Sequence, residues 1–314
     1  MFDSIVIGGG CIGLTIANEL ATSGNKVLLL EKDHLISGAT GKSGGMIRAF
    51  HQSERLTQWA QRSLKKFSRM ESFNQTGSLY IYPLENKEEF RAKAANRKAS
   101  GVELEVLTQD ELEARFPEMK ITGEALYEKK SGYLNIQEWF AEFMDSKADF
   151  EIYENEMVVS LDRKANSWNV VTENFTFETQ SVVVSTGIEI SSLIKDLGDE
   201  LTVKTIKTRS YSSNPFGDMP HFIDVSNFRY GRSHGGNLLL GHDSNEGIID
   251  SPKRGFELIE AQDLYANDRE GILKEVQSGL FVATGWGGTG FKLAPAIAED
   301  MNELVNNFLG GCHV

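Results

Sequence analysis

Cysteine is nearly absent. Cys11 and Cys312 stand at opposite ends of a 314-residue chain, and two residues so placed supply neither a disulfide framework nor the paired spacing of a zinc site. No metal is expected. Positive charge is also in deficit: 32 Lys and Arg face 45 Asp and Glu, for a net charge of −13. Nucleic acid and anionic membrane surfaces reward a basic face, so neither is expected as a partner. A local basic pocket for a small anion remains compatible with that balance. No apolar run approaches the roughly 20 residues of a membrane span, and no transmembrane segment is expected. The first strand begins almost at Met1, which leaves no room for a leader, so a reducing, cytoplasmic setting is expected. Internal repeats, low-complexity tracts and linkers are missing too.

What is present is a strand-turn-helix-strand opening. Residues 3–7, DSIVI, read as a short buried strand, and GGGCIG follows it. Ile12, Ile16 and Leu20 then recur at helical spacing, and Gly24 is the expected C-cap of that helix. KVLLLE is the second strand of this βαβ unit. Further along, 54–73 reads as an amphipathic helix, 77–82 as a strand, and MVVSLDR with SWNVVTE as a hairpin. SVVVSTG at 181–187 is a continuous apolar run ending in glycine, as a parallel strand ends at a ligand crevice. RSYSSN, HFIDVS, FRYGRS and NLLLGH suggest an antiparallel sheet, 252–270 a helix, and the last residues a strand, a glycine turn and a closing helix. The expected class is α/β with two interleaved domains. One is a dinucleotide-binding domain of residues 1–75, 150–205 and 275–314; the other is an α+β substrate domain of residues 76–149 and 206–274, built on a mixed, largely antiparallel sheet.

Gly8, Gly10 and Gly13 fit G-x-G-x-x-G between the first strand and helix. The first glycine allows the tight turn, the second lets backbone approach a pyrophosphate, and the third lets helix and strand pack closely. The helix N-terminus offers free N–H groups and a positive dipole end to phosphates. Glu31 closes the second strand, where an acid accepts hydrogen bonds from ribose hydroxyls. This fingerprint does not choose between NAD and FAD. The other end of the chain bears on that choice: Gly285, Gly287, Gly288 and Gly290 precede a long helix. A flavin gains negative charge on reduction, and a helix N-terminus lined by small residues stabilises such charge at close approach.

Three segments resemble the D-amino-acid oxidase superfamily of FAD enzymes, in particular its monomeric sarcosine oxidase and glycine oxidase branch. They are IVIGGGCIGLTIANELATSGNKVLLLEK, VVVSTGIEISSL and ATGWGGTGFKLAPAIAEDM. SGATGKSGGMIRAFH, TGSLYIY, YEKKSGYLN and FRYGRSHGGNLLLGHD extend the likeness over most of the chain. The resemblance implies a Rossmann-type FAD-binding domain and oxidation of a C–N bond in a small amine or amino acid by hydride transfer to flavin N5. It implies that Arg48 and Lys292 hold the substrate carboxylate as a cationic pair, and that Thr40, Ser43, Gly44, Gly45 and Met46 line the flavin. Lys32, Val159, Thr186, Gly187, Thr289 and Phe291 complete the expected cofactor contacts, together with the glycines and Glu31. His51, Tyr230, His242 and Asp243 are candidates for the pocket wall, with Tyr211 beside them; His51 is read as structural rather than as a base.

The chain departs from that branch at three places. Glu189 replaces a tryptophan of the second segment, Leu239 stands where sarcosine oxidases carry a lysine that promotes reaction with oxygen, and residues 243–278 form a shortened bridge with no cysteine. FAD is therefore expected to be non-covalent, and the electron acceptor to be either O2 or a quinone or protein. A partner subunit that closes the shortened wall is compatible with the sequence. Three further readings stay open: a dehydrogenase subunit or tailoring enzyme with a bulky or protein-bound substrate, a 2-hydroxy-acid dehydrogenase, and a flavin-binding protein with a structural role only.

Overall fold

The structure is a computed structural model that describes residues 1–119, 121–211, 219–234, 236–242 and 256–311. Two compact units are interleaved along the chain: residues 1–43, 140–204 and 262–314 form the first, and 44–139 with 205–261 the second. Residues 44–75 therefore belong with the second unit and 262–274 with the first, which differs from the boundaries at 75 and 274 expected from sequence. The strand Met46–Ile47 explains part of the shift, because it pairs with Gly132–Leu134 in a small antiparallel sheet of the second unit.

The first unit is built on parallel strands. Phe2–Ile7 lies between Val27–Leu30 and Thr176–Val184; Glu151–Tyr153 extends one side and Leu280–Thr284 the other. The runs VLLL and LFVAT are buried throughout, as strands covered on both faces require. Ile5, Ile7, Leu28, Leu30, Val182, Val184 and Val282 form one core cluster. The helices Cys11–Thr22 and Gly290–Gly311 pack together, and Thr15 Oγ1 donates to the Ala294 carbonyl at 3.3 Å. Thr176–Val184 does two jobs: its first half joins the antiparallel hairpin of Val158–Arg163 and Trp168–Thr172, and its second half joins the parallel core. This is a Rossmann-type sheet with an antiparallel flap.

The second unit carries an eight-stranded mixed sheet. Its order is Phe256–Ala266, Leu201–Tyr211, Asn237–His242, Arg229–His234, His221–Asp224, Ser78–Tyr82, Glu124–Glu128, Glu105–Leu107. His221–Asp224 and Ser78–Tyr82 run parallel, and the strands to either side pair antiparallel. Side chains alternate between its faces. One face buries Leu79, Ile81, Ala125, Phe222, Leu238 and Leu240. On the other, Tyr80, Tyr82 and Leu126 pack with Phe50, Phe90 and Ala94.

One expected element is corrected. Phe256–Ala266, inside the stretch expected as a helix, is a strand. Its Glu, Leu, Ala and Gln residues have high helix propensity, but the open edge of Leu201–Tyr211 supplies a pairing partner, and tertiary pairing overrides that weak local preference. Among the described residues, no helix is long and apolar enough to cross a membrane.

Candidate functional site

In the first unit the glycine turn is fixed by sterics. Gly8 has φ +110°, and a Cβ there would sit 2.6 Å from the Ser185 carbonyl oxygen. A Cβ on Gly13 would sit 1.9 Å from the Gly8 carbonyl oxygen, so the helix Cys11–Thr22 reaches the strand only because residue 13 is glycine. Gly10 is the N-cap of that helix; no side chain caps it and no acid stands in its first turn. The Thr40 hydroxyl accepts from the Cys11 N–H at 3.0 Å. The helix thus carries no acid in its own first turn, and its positive end suits a phosphate.

Glu31 is held at the end of Val27–Leu30 by backbone donors: Gly9 N–H at 2.6 Å and Asp33 N–H at 2.9 Å. Tyr153 and Glu156 lie alongside it, exchanging backbone hydrogen bonds with Glu31 at 2.9 and 2.8 Å. Lys32 is turned elsewhere. Its ammonium meets Glu189 at 2.8 Å and Asp33 at 3.1 Å, and these partners push its pKa up. Glu189 thus has a role that its departure from the family tryptophan did not disclose. Val159 falls at a register shift of its hairpin and is 49% exposed. Thr186 lies two residues beyond the strand Thr176–Val184, and its hydroxyl oxygen is buried without a hydrogen-bond partner among the described residues. Gly187 follows with φ +60°.

At the closing helix of the same unit, Gly285 and Gly287 have φ +88° and +49°, and a Cβ on Gly287 would sit 2.0 Å from the Tyr265 ring. Gly288 and Gly290 differ: their nearest Cβ contacts would be 3.5 and 3.8 Å, ordinary packing distances. Among the described residues no neighbour demands glycine there, so their smallness leaves room for something else. The Gly288 N–H meets the Tyr265 hydroxyl at 3.3 Å, Thr289 Oγ1 donates to Trp286 O at 2.7 Å, and the buried Lys292 donates from Nζ to Gly288 O at 3.0 Å. Phe291 is buried beside it. Asp263 joins this group, unmarked by any sequence motif. Burial raises its carboxyl pKa, against the opposing pull of the Tyr265 hydroxyl at 3.4 Å and of Lys292. Cys11, buried at the start of the first helix, has its thiol pushed up to about 11, chiefly by desolvation.

In the second unit, Gly44 and Gly45 lead into Met46–Ile47. Gly45 has φ +64°, and a Cβ on it would sit 1.9 Å from the Leu134 carbonyl oxygen. Arg48 follows and is 8% exposed. Its guanidinium lies 5.4 Å from the Tyr80 ring centroid. Among the described residues its Nε and Nη1 have no hydrogen-bond partner. Burial pulls the Arg48 pKa down, opposed by Tyr80 and Glu128. The Glu128 carboxylate is engaged by other donors, the N–H groups of Ala49 at 2.8 Å and Phe50 at 3.0 Å and the Ser131 hydroxyl at 3.1 Å. Its own pKa is raised by burial against those donors and Arg48.

The other pocket candidates are placed less suggestively. His51 is buried at the entry to the helix Glu54–Phe67; its backbone N–H meets Thr57 Oγ1 at 3.1 Å, and its carbonyl accepts from Arg97 Nε at 3.4 Å. Tyr230 packs over Gly241, where a Cβ would meet its ring at 2.0 Å, and its hydroxyl lies 3.0 Å from Thr208 Oγ1. Tyr211 is buried in the apolar face of the sheet. His242 ends Asn237–His242 in register with Lys207 and Arg229. Asp243 lies outside the described residues. Arg232, which no motif singled out, is 5% exposed and donates from Nε to the Gly44 carbonyl.

The profile of the DAO family, described as FAD dependent oxidoreductase, matches residues 3–265. The chain is 24% identical over 357 residues to 4-methylaminobutanoate oxidase (formaldehyde-forming) of Paenarthrobacter nicotinovorans, covering 96% of this chain and 43% of that one. It therefore spans less than half the length of that relative. It is 24% identical over 360 residues to monomeric sarcosine oxidase of Bacillus sp. (strain B-0618), covering 96% and 92% of the two chains. The fold matches that of L-proline dehydrogenase from P. horikoshii with a TM-score of 0.84 at 23% identity, over 97% of this chain and 93% of that one.

Proposed function

The chain belongs to the DAO family of FAD dependent oxidoreductases, and from that membership we propose that it oxidises the C–N bond of a small amine bearing a carboxylate. FAD, when bound, supplies the two-electron acceptor for such a reaction. The residues of the first unit suit that group chemically. The N-terminus of Cys11–Thr22, with no acid in its own first turn, would take the pyrophosphate and Glu31 the ribose. Gly288, Gly290, Lys292 and the unpartnered Thr186 hydroxyl would serve the flavin end.

The observation that carries the substrate class is Arg48. A buried guanidinium with two nitrogens unsatisfied costs several kcal/mol in desolvation, and a carboxylate is the bidentate partner its planar fork fits. Held there, a substrate has its α-carbon fixed, which is the positioning that turns a bimolecular step into an effectively unimolecular one. Oxidation breaks the α C–H bond with its electron pair and forms C=N from the nitrogen lone pair, so the amine must be neutral. Water then hydrolyses the imine. Leu239, half-buried in its strand, supplies no charge to draw in oxygen, so we assign the chain to dehydrogenases rather than oxidases.

Anaerobic mixing of the flavin-loaded protein with sarcosine, glycine, proline and amino dicarboxylates tests this reading. Bleaching of the flavin absorbance by a carboxylate-bearing amine is expected. Bleaching only by 2-hydroxy acids, or by none of these compounds, would sink it.

A further inference from the structure

One face of the second unit's sheet carries a polar row. Glu128 pairs with Ser78 and Ser78 with His221. The Phe222–Gly231 pairing carries the register on to Arg232, which pairs with Leu239. Residues paired across strands share a face, so Arg232 lies on the face opposite the Leu79, Phe222 and Leu240 core. This is also the face of Tyr80, over which Arg48 sits. Strands are spaced about 4.8 Å apart, and Arg229–His234 is two strands from Ser78–Tyr82. Arg232 lies in the row of Ser78, and Tyr80, whose ring Arg48 meets, is two strands away and two residues along, so these two anchor points are about 12 Å apart, a gap that one small molecule bridges when each of its charged ends takes its own guanidinium.

Arg232 repeats the condition of Arg48. Its guanidinium lies 4.4 Å from the Tyr133 ring centroid. Nε is used by the Gly44 carbonyl, while Nη1 is buried with no hydrogen-bond partner among the described residues. Burial pulls its pKa down to about 10; Tyr133 and the exposed Glu138 act on it, and no carboxylate within 4 Å is recorded for it among the described residues. A guanidinium whose one role was to brace Gly44 would need no second, unsatisfied nitrogen inside the protein.

We infer that Arg232 holds a second anionic group of the substrate, so that the substrate class is an amine with two carboxylates. This rests on the reading of Arg48 given above and narrows it. Arg48 takes the carboxylate beside the reacting carbon, and Arg232 takes the distal one.

The test uses the full-length, flavin-loaded protein and ligands that cannot be oxidised. Glutarate and succinate are titrated against butyrate and acetate, with binding read by calorimetry and by the flavin absorbance shift. A charged hydrogen-bonded contact is worth about 1.5 to 3 kcal/mol, so the dicarboxylates are expected to bind roughly 10- to 100-fold more tightly. Arg232→Met should erase that advantage, bringing dicarboxylate affinity down to that of the matched monocarboxylate, and Arg232→Lys should restore part of it. Equal affinities for the two ligand classes, or an Arg232→Met variant that weakens both alike, would overturn the inference and leave Arg232 as a brace for Gly44. Dicarboxylate binding with no bleaching by any amine would remove the amine reading while sustaining the two-anion site. Bleaching by sarcosine with no dicarboxylate preference would do the reverse.

Discussion

Replacing Arg48 by methionine separates a binding role from a structural one, because the two predict opposite signs. The guanidinium is 8% exposed, two of its nitrogens have no hydrogen-bond partner among the described residues, and it meets the Tyr80 ring and the field of Glu128. Removing one partner of a buried charge pair costs about 3 to 5 kcal/mol, and each 1.4 kcal/mol is tenfold. Bleaching efficiency with carboxylate-bearing amines should therefore fall by about 10² to 4 × 10³. The ligand-free protein should behave differently. Methionine removes a desolvated cation and keeps most of the volume, so the loss of a cation–π contact worth up to about 2 kcal/mol is offset by relief of the desolvation cost. The unfolding midpoint of the apo protein should stay level or rise. Anaerobic stopped-flow reduction and thermal unfolding of the same preparations read the two quantities. A variant that unfolds earlier and still bleaches at the native rate would show that Arg48 is part of the scaffold.

Gly13→Ala should abolish flavin retention, because its Cβ would sit 1.9 Å from a backbone oxygen; the ratio of flavin to protein absorbance after purification measures this, and a yellow variant refutes it. Leu239→Lys should raise the rate of re-oxidation by oxygen at least about tenfold, on the Coulombic attraction of a buried cation for reduced oxygen; an unchanged rate removes the basis for preferring a dehydrogenase. Acid precipitation should release the flavin into the supernatant, since Cys11 is a buried thiol in the first helix and no other cysteine lies among the described residues; colour in the pellet would refute non-covalent binding. The Cys11 thiol is raised from 9.0 to about 11 in the fold, so the folded state holds its proton where the unfolded state has lost it. Its contribution is complete below pH 9 and is lost as pH rises toward 11, about 2 to 3 kcal/mol in all. Urea unfolding of wild type against Cys11→Ala at pH 8 and pH 10.5 should show the wild type losing more, and parallel losses would refute the burial argument.

The parts of the fold written in local pattern were legible in advance. The runs DSIVI, VLLL and SVVV announce buried parallel strands by apolar continuity, and the glycine turn announces itself because Gly8 and Gly13 meet backbone too closely for a side chain. The parts that depend on distant partners were not. Phe256–Ala266 is spelled in helix-forming residues and becomes a strand by pairing with Leu201–Tyr211. Lys32 adjoins Glu31 in sequence and looked like a cofactor contact, yet its ammonium is taken by Glu189, far along the chain. Arg232 had no signal at all: an arginine in a short strand between polar residues reads as a surface charge, and only the fold shows it buried.

Charge statistics make the two orphaned arginines harder to dismiss. With 45 carboxylates for 32 Lys and Arg, an arginine in this chain has partners in surplus. Others take them: Arg91 meets Glu124 at 2.7 Å, Arg115 meets Glu105 at 3.0 Å, and Arg229 meets Asp224 at 2.8 Å. Arg229 sits in the same strand as Arg232, three residues away and on the opposite face. Of these pairs, Arg115–Glu105 is exposed on both sides and such a pair contributes little to stability, whereas the Glu124 and Asp224 carboxylates are buried. A buried arginine is the reverse case, because desolvation is costly and one acid at the neighbouring register would relieve it. The row from Arg232 does contain an acid, Glu128, but its carboxylate is turned to the Ala49 and Phe50 backbone. In a carboxylate-rich protein, the buried nitrogens of Arg48 and Arg232 that find no hydrogen-bond partner among the described residues are the ones the proposed anionic substrate would satisfy.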